Sequence, residues 1–189
     1  MKTTNIMIVG VGGQGTLLAS RLLGQAGLKA GFEVKMSEVH GMSQRGGSVV
    51  TYVKLGDKVY SPVIKEGEAD FIISFEKLEA ARYADCLKKG GRIITNIQEI
   101  DPMPVITGAE TYPEDILDKI EEQGVEIDRV DALAKALEAG NALSVNIVLM
   151  GRLSRYFDIP EEIWLEALKA VVRPAFLEMN ERAFHLGRE

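Results

Sequence analysis

Cysteine is almost absent: in 189 residues Cys86 stands alone. A lone thiol excludes an intrachain disulfide, an iron–sulfur cluster held by this chain's thiolates, and a cysteine-rich zinc site. It fits a reducing compartment, so a cytoplasmic protein is expected. Also lacking is any apolar run of the roughly 20 residues that span a bilayer. The most apolar stretch, ALSVNIVLMGRL, is interrupted by Asn146 and Arg152. The opening MKTTNIMIVG has neither the apolar core nor the cleavage site of a signal peptide, so a soluble protein without membrane contact is expected. Excess basic charge is missing too. A net charge of −6 disfavours any general attraction to nucleic acid or anionic lipid.

With 46% hydrophobic and 26% charged residues, the chain reads as one globular domain over residues 1–189. Asn5–Val9 has the β-branched richness of a buried strand, and Thr16–Ala30 the periodicity of a helix closed by Gly31. FEVKMSEV and Ser48–Leu55 read as strands, with GDK before Val59 and Tyr60 as a hairpin turn. ADFIISF is a compact apolar run suited to a parallel strand. A helix over Glu76–Lys88, closed by Gly90 and Gly91, and the strand RIITN complete a crossover unit. Val105 and Ile106 read as a short edge strand. Beyond it the pattern predicts a helix that starts at Pro113, Glu114 and Asp115 and runs up to Gly124 with Ile116, Leu117 and Ile120 facing the core, a strand VEIDRV, and a short helix capped by Asp131. Three further helices follow: an apolar one from about Ala142 to Phe157, one after Pro160 and one after Pro174. Trp164, Phe176 and Phe184 fit core or interface positions, and Cys86, His185 and the Glu121, Glu122, Glu126 group fit structural or solvated ones. The expected fold is α/β: a Rossmann-like, mainly parallel sheet flanked by helices, with a helical carboxy-terminal third.

Between the first strand and the first helix stands GVGGQG. Gly10, Gly12 and Gly15 have the spacing of a dinucleotide fingerprint, with Gly13 and Gln14 inside it. Gly10 would permit the tight turn, Gly12 a close backbone approach to an anion, and Gly15 close helix packing. The amino terminus of the helix would offer free N–H groups. Glu33 or Glu38 could serve as the acid expected about 20 residues on. No Gly-Lys-Ser/Thr follows, which excludes a P-loop. A phosphate or carboxylate site, a dinucleotide or flavin site, and a purely structural turn all remain open at this point.

The second unusual stretch is SEVHGMSQRGGSVV. It places Glu38, His40, Ser43, Gln44 and Arg45 ahead of a glycine pair. Mixed polar groups packed this densely on a loop point to contacts with a ligand or partner. Gly46 and Gly47 could alternatively form only a bulge before the third strand. Arg45 has the planar fork that pairs with a carboxylate or phosphate.

GVGGQG followed by SEVHGMSQRGGSVV resembles the gamma-type subunits of the 2-oxoacid:ferredoxin oxidoreductases, over nearly the whole chain. Among these, a free-standing chain of this size is similar to those serving aryl pyruvates such as indolepyruvate; pyruvate and 2-oxoglutarate are the alternatives. The resemblance implies oxidative decarboxylation of a 2-oxoacid with coenzyme A as co-substrate and ferredoxin as electron acceptor. It also implies that thiamine diphosphate, magnesium and iron–sulfur clusters sit on a larger alpha subunit. The residues agree: beside the lone thiol, no Gly-Asp-Gly segment with a following asparagine is present to hold magnesium and diphosphate. No catalytic or metal-binding residue is therefore expected in this chain. The glycine loop and the segment Glu38–Arg45 would face the partner.

Overall fold

The computed structural model describes residues 3–40 and 46–189, with His40 described by its backbone only. Six strands form one mixed sheet: β1 (Thr4–Val11), β2 (Glu33–His40), β3 (Ser48–Gly56), β4 (Ala69–Ser74), β5 (Leu87–Asn96) and β6 (Glu126–Val130). Their order is β2-β3-β1-β4-β5-β6. β1, β4, β5 and β6 run parallel, whereas β3 is antiparallel to both β1 and β2. The alternation of β1 explains the two layers. Ile6 and Ile8 point into one apolar cluster, and Met7 and Val9 into another on the opposite face.

The first face is covered by α1 (Thr16–Lys29), α5 (Ala132–Ala139), α6 (Val145–Ser154), α7 (Glu161–Val171) and α8 (Leu177–Arg188). Its core includes Leu22, Leu23, Trp164 and Phe184, all fully buried. The second face is covered more thinly, by α2 (Lys77–Arg82) and α4 (Ile116–Glu122), through Ala80, Leu117 and Ile120.

Several local expectations are corrected. The helix expected over Glu76–Lys88 ends at Arg82; a 3-10 turn at Ala84–Cys86 follows and β5 begins at Leu87. Gly90 and Gly91 lie inside that strand. Gly90 has φ 75° and the β4–β5 register shifts there, so the pair forms a bulge instead of closing a helix. No hairpin forms at GDK. After Gly56 the chain leaves the sheet, because Val59 is buried and donates its N–H to Glu33 Oε2 at 3.0 Å. Val105 and Ile106 belong to a short helix, α3 (Met103–Ile106), since Pro102 and Pro104 suit a first helical turn. Ala142–Ser144 is a 3-10 turn preceding α6. Trp164 and Phe184 are core as expected, whereas Phe176 is half exposed.

Candidate functional site

The connection from β1 runs through α1 on one face, and that from β4 through α2 on the other. The carboxyl ends of β1 and β4 therefore flank a topological switch point, where open α/β sheets form a crevice. The glycine loop occupies it.

The left-handed residues of that loop are Gly13 (φ 106°) and Gly15 (φ 87°), so the tight turn is made there and not at Gly10. Gly10 is required for closeness instead. A Cβ on it would lie 2.9 Å from Gln14 Oε1 and 3.0 Å from Phe75 Cβ. A Cβ on Gly15 would meet Asn146 Nδ2 at 2.6 Å, so this glycine packs α1 against α6 and not against a strand. Asn146 is buried, and its Nδ2 donates to the Gly15 carbonyl at 3.3 Å.

Gln14 folds back into the loop. Its Oε1 accepts from the Val11 N–H at 2.7 Å and its Nε2 donates to the Phe75 carbonyl at 3.2 Å. Gln14→Ala would leave the Val11 N–H without this partner and the Phe75 carbonyl with the Asn96 amide alone, and should cost about 1–3 kcal/mol. The check is the urea midpoint, and an unchanged midpoint would show that the side chain does not brace the loop.

The two unusual sequence stretches meet directly. Gly12 donates its N–H to the Gly47 carbonyl at 2.9 Å, and the Gly12 carbonyl accepts from the Gly46 N–H at 3.4 Å. The Gly12 amide is therefore occupied and does not point at an anion. Ser48, next in line, donates Oγ to the buried Glu79 at 2.5 Å. Both flanks of the segment Glu38–Arg45 are tied to the β1–β3 ladder, because His40 pairs with Val49 in register. Ser43, Gln44 and Arg45 lie outside the described residues, as does the His40 side chain. The N–H groups of Gly13, Gly15, Thr16 and Leu17 find no acceptor among the described residues, which leaves the start of α1 as a donor rim.

Clefts flank the loop on both sides. One, of about 420 Å³, lies between α1 and the sheet and is lined by Gly13, Thr16, Leu17, Glu38 and Val49. The other, of about 470 Å³, is mainly apolar, with Leu18, Ile100, Leu133, Leu143 and Val145 beside Gln98 and Asn146. Of the two candidate acids, Glu38 reaches the loop and Glu33 does not. Glu33 starts β2 at the opposite edge of the sheet, where it pairs with Lys35 at 3.4 Å and accepts from Val59. In the dinucleotide fingerprint β2 lies beside β1. Here β3 intervenes, and that displaces Glu38 by a whole strand.

Sequence reasoning missed the support behind the loop. The Phe75 carbonyl also accepts from Asn96 Nδ2 at 3.3 Å, and Asn96 Oδ1 accepts from Ala132 N–H at 3.1 Å. Glu76 is almost fully buried; its Oε2 caps α2 at the Glu79 N–H, 2.9 Å away, and its Oε1 accepts from the Tyr112 hydroxyl. Burial, reinforced by the Glu76 hydrogen bond, pushes the Tyr112 hydroxyl far above the usual phenol range, so it stays a donor. Cys86 is half buried, and desolvation raises its thiol above the usual range. No group of three or more His, Cys, Asp or Glu suited to a metal ion is found among the described residues. No helix among them is long and apolar enough to cross a membrane.

Comparison with known proteins decides the family. Residues 5–189 match the pyruvate ferredoxin/flavodoxin oxidoreductase family. The chain belongs to this family. It is 48% identical over 192 residues to the indolepyruvate oxidoreductase subunit IorB of Thermococcus kodakarensis, covering 99% of this chain and 95% of that protein. IorB of Pyrococcus horikoshii is 47% identical with the same coverage. Among solved structures, pyruvate oxidoreductase subunit PORC of Thermotoga maritima aligns with a TM-score of 0.75, over 99% of this chain and 96% of that one. At 21% identity, that likeness shows a shared fold alone.

Proposed function

We propose that this chain is the small, cofactor-free subunit of an indolepyruvate:ferredoxin oxidoreductase. The observation that carries the reading is near half identity, end to end, with subunits named for that enzyme. In this reading the complex converts an aryl pyruvate, coenzyme A and two oxidised ferredoxins into an aryl-acetyl-CoA, carbon dioxide, a proton and two reduced ferredoxins. Thiamine diphosphate, magnesium and the iron–sulfur clusters belong to a larger alpha subunit in the cytoplasm. One thiol cannot hold a cluster, and the sequence has no Gly-Asp-Gly segment of the kind that holds magnesium and the diphosphate of thiamine.

This chain's own contribution is shape and charge. The face formed by the glycine loop and the segment Glu38–Arg45 turns toward the partner's active site. The donor rim at Gly13, Gly15 and Thr16 suits a phosphate or carboxylate, such as one belonging to coenzyme A, and the neighbouring apolar cleft accommodates what is attached to it. The Gly12–Gly47 and Ser48–Glu79 hydrogen bonds support this reading, since they hold the base of the segment against the loop. Arg45, next in sequence to Gly46, is the planar cation this reading assigns to the segment.

Purification of the complex through a tag on this chain tests the assignment. A large, brown, oxygen-sensitive companion should copurify, and turnover should favour indolepyruvate over pyruvate and 2-oxoglutarate; preference for either of those would transfer the chain to another branch of the family. Within the complex, Arg45→Ala should lower kcat/KM for coenzyme A by about tenfold or more, the loss expected for one charge-assisted hydrogen bond. Full activity at both saturating and limiting coenzyme A would exclude that role.

A further inference from the structure

Building on the subunit reading, we propose that α3 is a docking surface for the larger subunit, which meets it with an apolar patch rimmed by lysine or arginine.

α3 buries nothing in its own chain. Met103 is 66% exposed and Ile106 64%, and neither they nor Val105 join either apolar cluster. No residue from 97 to 115 is buried. Apolar side chains that meet only water return no burial energy against the cost of ordering their backbone.

The segment is nevertheless firmly built. Pro102 and Pro104 fix φ on either side of Met103. The Val105, Thr107 and Ala109 N–H groups donate to the Pro102, Met103 and Pro104 carbonyls, each at 2.9 Å. Both feet of the excursion stand on the buried Glu76, whose Oε1 accepts from the Ile100 N–H at 3.3 Å and from the Tyr112 hydroxyl. Lys77 ties the first foot again, donating its N–H to the Gln98 carbonyl at 3.1 Å and pairing with Glu99. A loop closed at its base in this way holds its tip in place before any partner arrives, which lowers the entropy lost on binding.

Position and charge choose the occupant. β5 runs parallel to β1, so the 97–115 segment leaves the sheet at the end that carries the glycine loop. Ile100 lines the apolar cleft beside that loop, and the Met103 Cα follows within about 11 Å of it along the chain. α3 thus continues the face that the subunit reading turns toward the partner. From Glu99 to Asp118 the sequence has six carboxylates and no lysine or arginine. Lys77 neutralises Glu99, and Arg129 neutralises Asp118. Asp101, Glu110, Glu114 and Asp115 have no ion pair among the described residues, and Lys119, next in the chain, leaves the excess acidic. Such a surface repels its own copy and an anionic bilayer, and it complements basic side chains around an apolar patch.

Met103→Asp and Ile106→Asp test the surface. The measurement is the Kd of the tagged full chain for the larger subunit, at low and high salt. Each substitution should weaken binding at least about tenfold, because it places a charge in an apolar contact. The parent affinity should fall as salt rises. The thermal midpoint of the chain alone should not move, since neither side chain is buried. Tyr60→Asp, exposed beside the start of β1 at the other end of the sheet, should bind like the parent. Parent affinity in both α3 variants, or an equal loss in Tyr60→Asp, would overturn the proposal. So would self-association of the chain alone that Ile106→Asp abolishes, since the occupant would then be a second copy. A parent chain that binds no larger subunit would instead overturn the subunit reading, and this surface with it.

Discussion

Gly151→Ala should unfold the carboxy-terminal helical layer, although alanine ordinarily stabilises a helix interior. The exchange normally favours the helix by about 1 kcal/mol. Here α6 and α8 cross at a pair of glycines. A Cβ on Gly151 would lie 2.1 Å from the Phe184 carbonyl oxygen, and one on Gly187 would lie 2.0 Å from the Val148 carbonyl oxygen. Those atoms belong to backbone, so no side chain can swing aside, and the helices must separate. Separation would open contacts of Leu149, Leu153, Trp164 and Phe184, which share one core cluster. Overpacking against rigid backbone costs about 3 kcal/mol or more. The same loss is expected for Gly187→Ala, whereas Glu178→Ala, on the same helix as Gly187 but at an exposed position, should change little. Denaturant midpoints compare the three; equal midpoints for Gly151→Ala and the parent would mean that the helices do not approach this closely.

Asp128→Ala should have the next largest effect. Asp128 lies on β6 with 9% of its surface exposed. Its Oδ2 accepts from Arg152 Nε at 2.7 Å and from the Tyr156 hydroxyl at 2.7 Å, and its Oδ1 accepts from the second Arg152 nitrogen at 2.9 Å. The bidentate pair ties α6 to the edge of the sheet. Removal of the carboxylate strands a largely buried guanidinium and a phenol, at a cost of about 3 kcal/mol. Burial alone would raise the Asp128 carboxyl, but the hydrogen bonds from Arg152 and Tyr156 outweigh it and hold the group below the usual range. The sign of the pH effect follows. A carboxyl whose folded pKa lies below its unfolded value of about 3.9 contributes stability that is complete above that value. That contribution disappears as pH falls through the folded pKa. Asp128→Asn should therefore be less stable than the parent at pH 7, and the gap should narrow as the pH falls below about 4. A gap independent of pH would show that the charge of Asp128 does not matter.

The residues that matter most in these predictions bear on what was legible in the sequence. In the sequence, Asn146 and Arg152 are visible only as interruptions of an apolar stretch. In the structure each reaches out of α6 to a partner remote in the chain, Gly15 and Asp128. A polar residue inside an apolar run was thus the available signal, but its partner depends on a crossing that no local pattern encodes. Strand existence was readable from alternation and β-branching, yet the place of β3 was not. Its insertion between β1 and β2 is a long-range pairing, and periodicity carries no information on sheet order. The glycine loop was legible as a strand-to-helix turn. Its inner bracing was not, because Gln14 closes on Phe75, which is 61 residues away. Gly90 and Gly91 show the opposite failure: a glycine pair after a helical pattern reads as a helix end, and a bulge in the middle of a strand has the same local composition.

The subunit reading makes the chain dependent on a companion for every electron it helps to move. The most direct measurement follows ferredoxin reduction with indolepyruvate and coenzyme A, first for the purified chain by itself and then for the chain coexpressed with the larger subunit proposed for it. The chain alone should be colourless and reduce no ferredoxin, while the assembled pair turns over. Ferredoxin or pyridine nucleotide reduced by the lone chain, at a rate approaching that of the pair, would contradict the account.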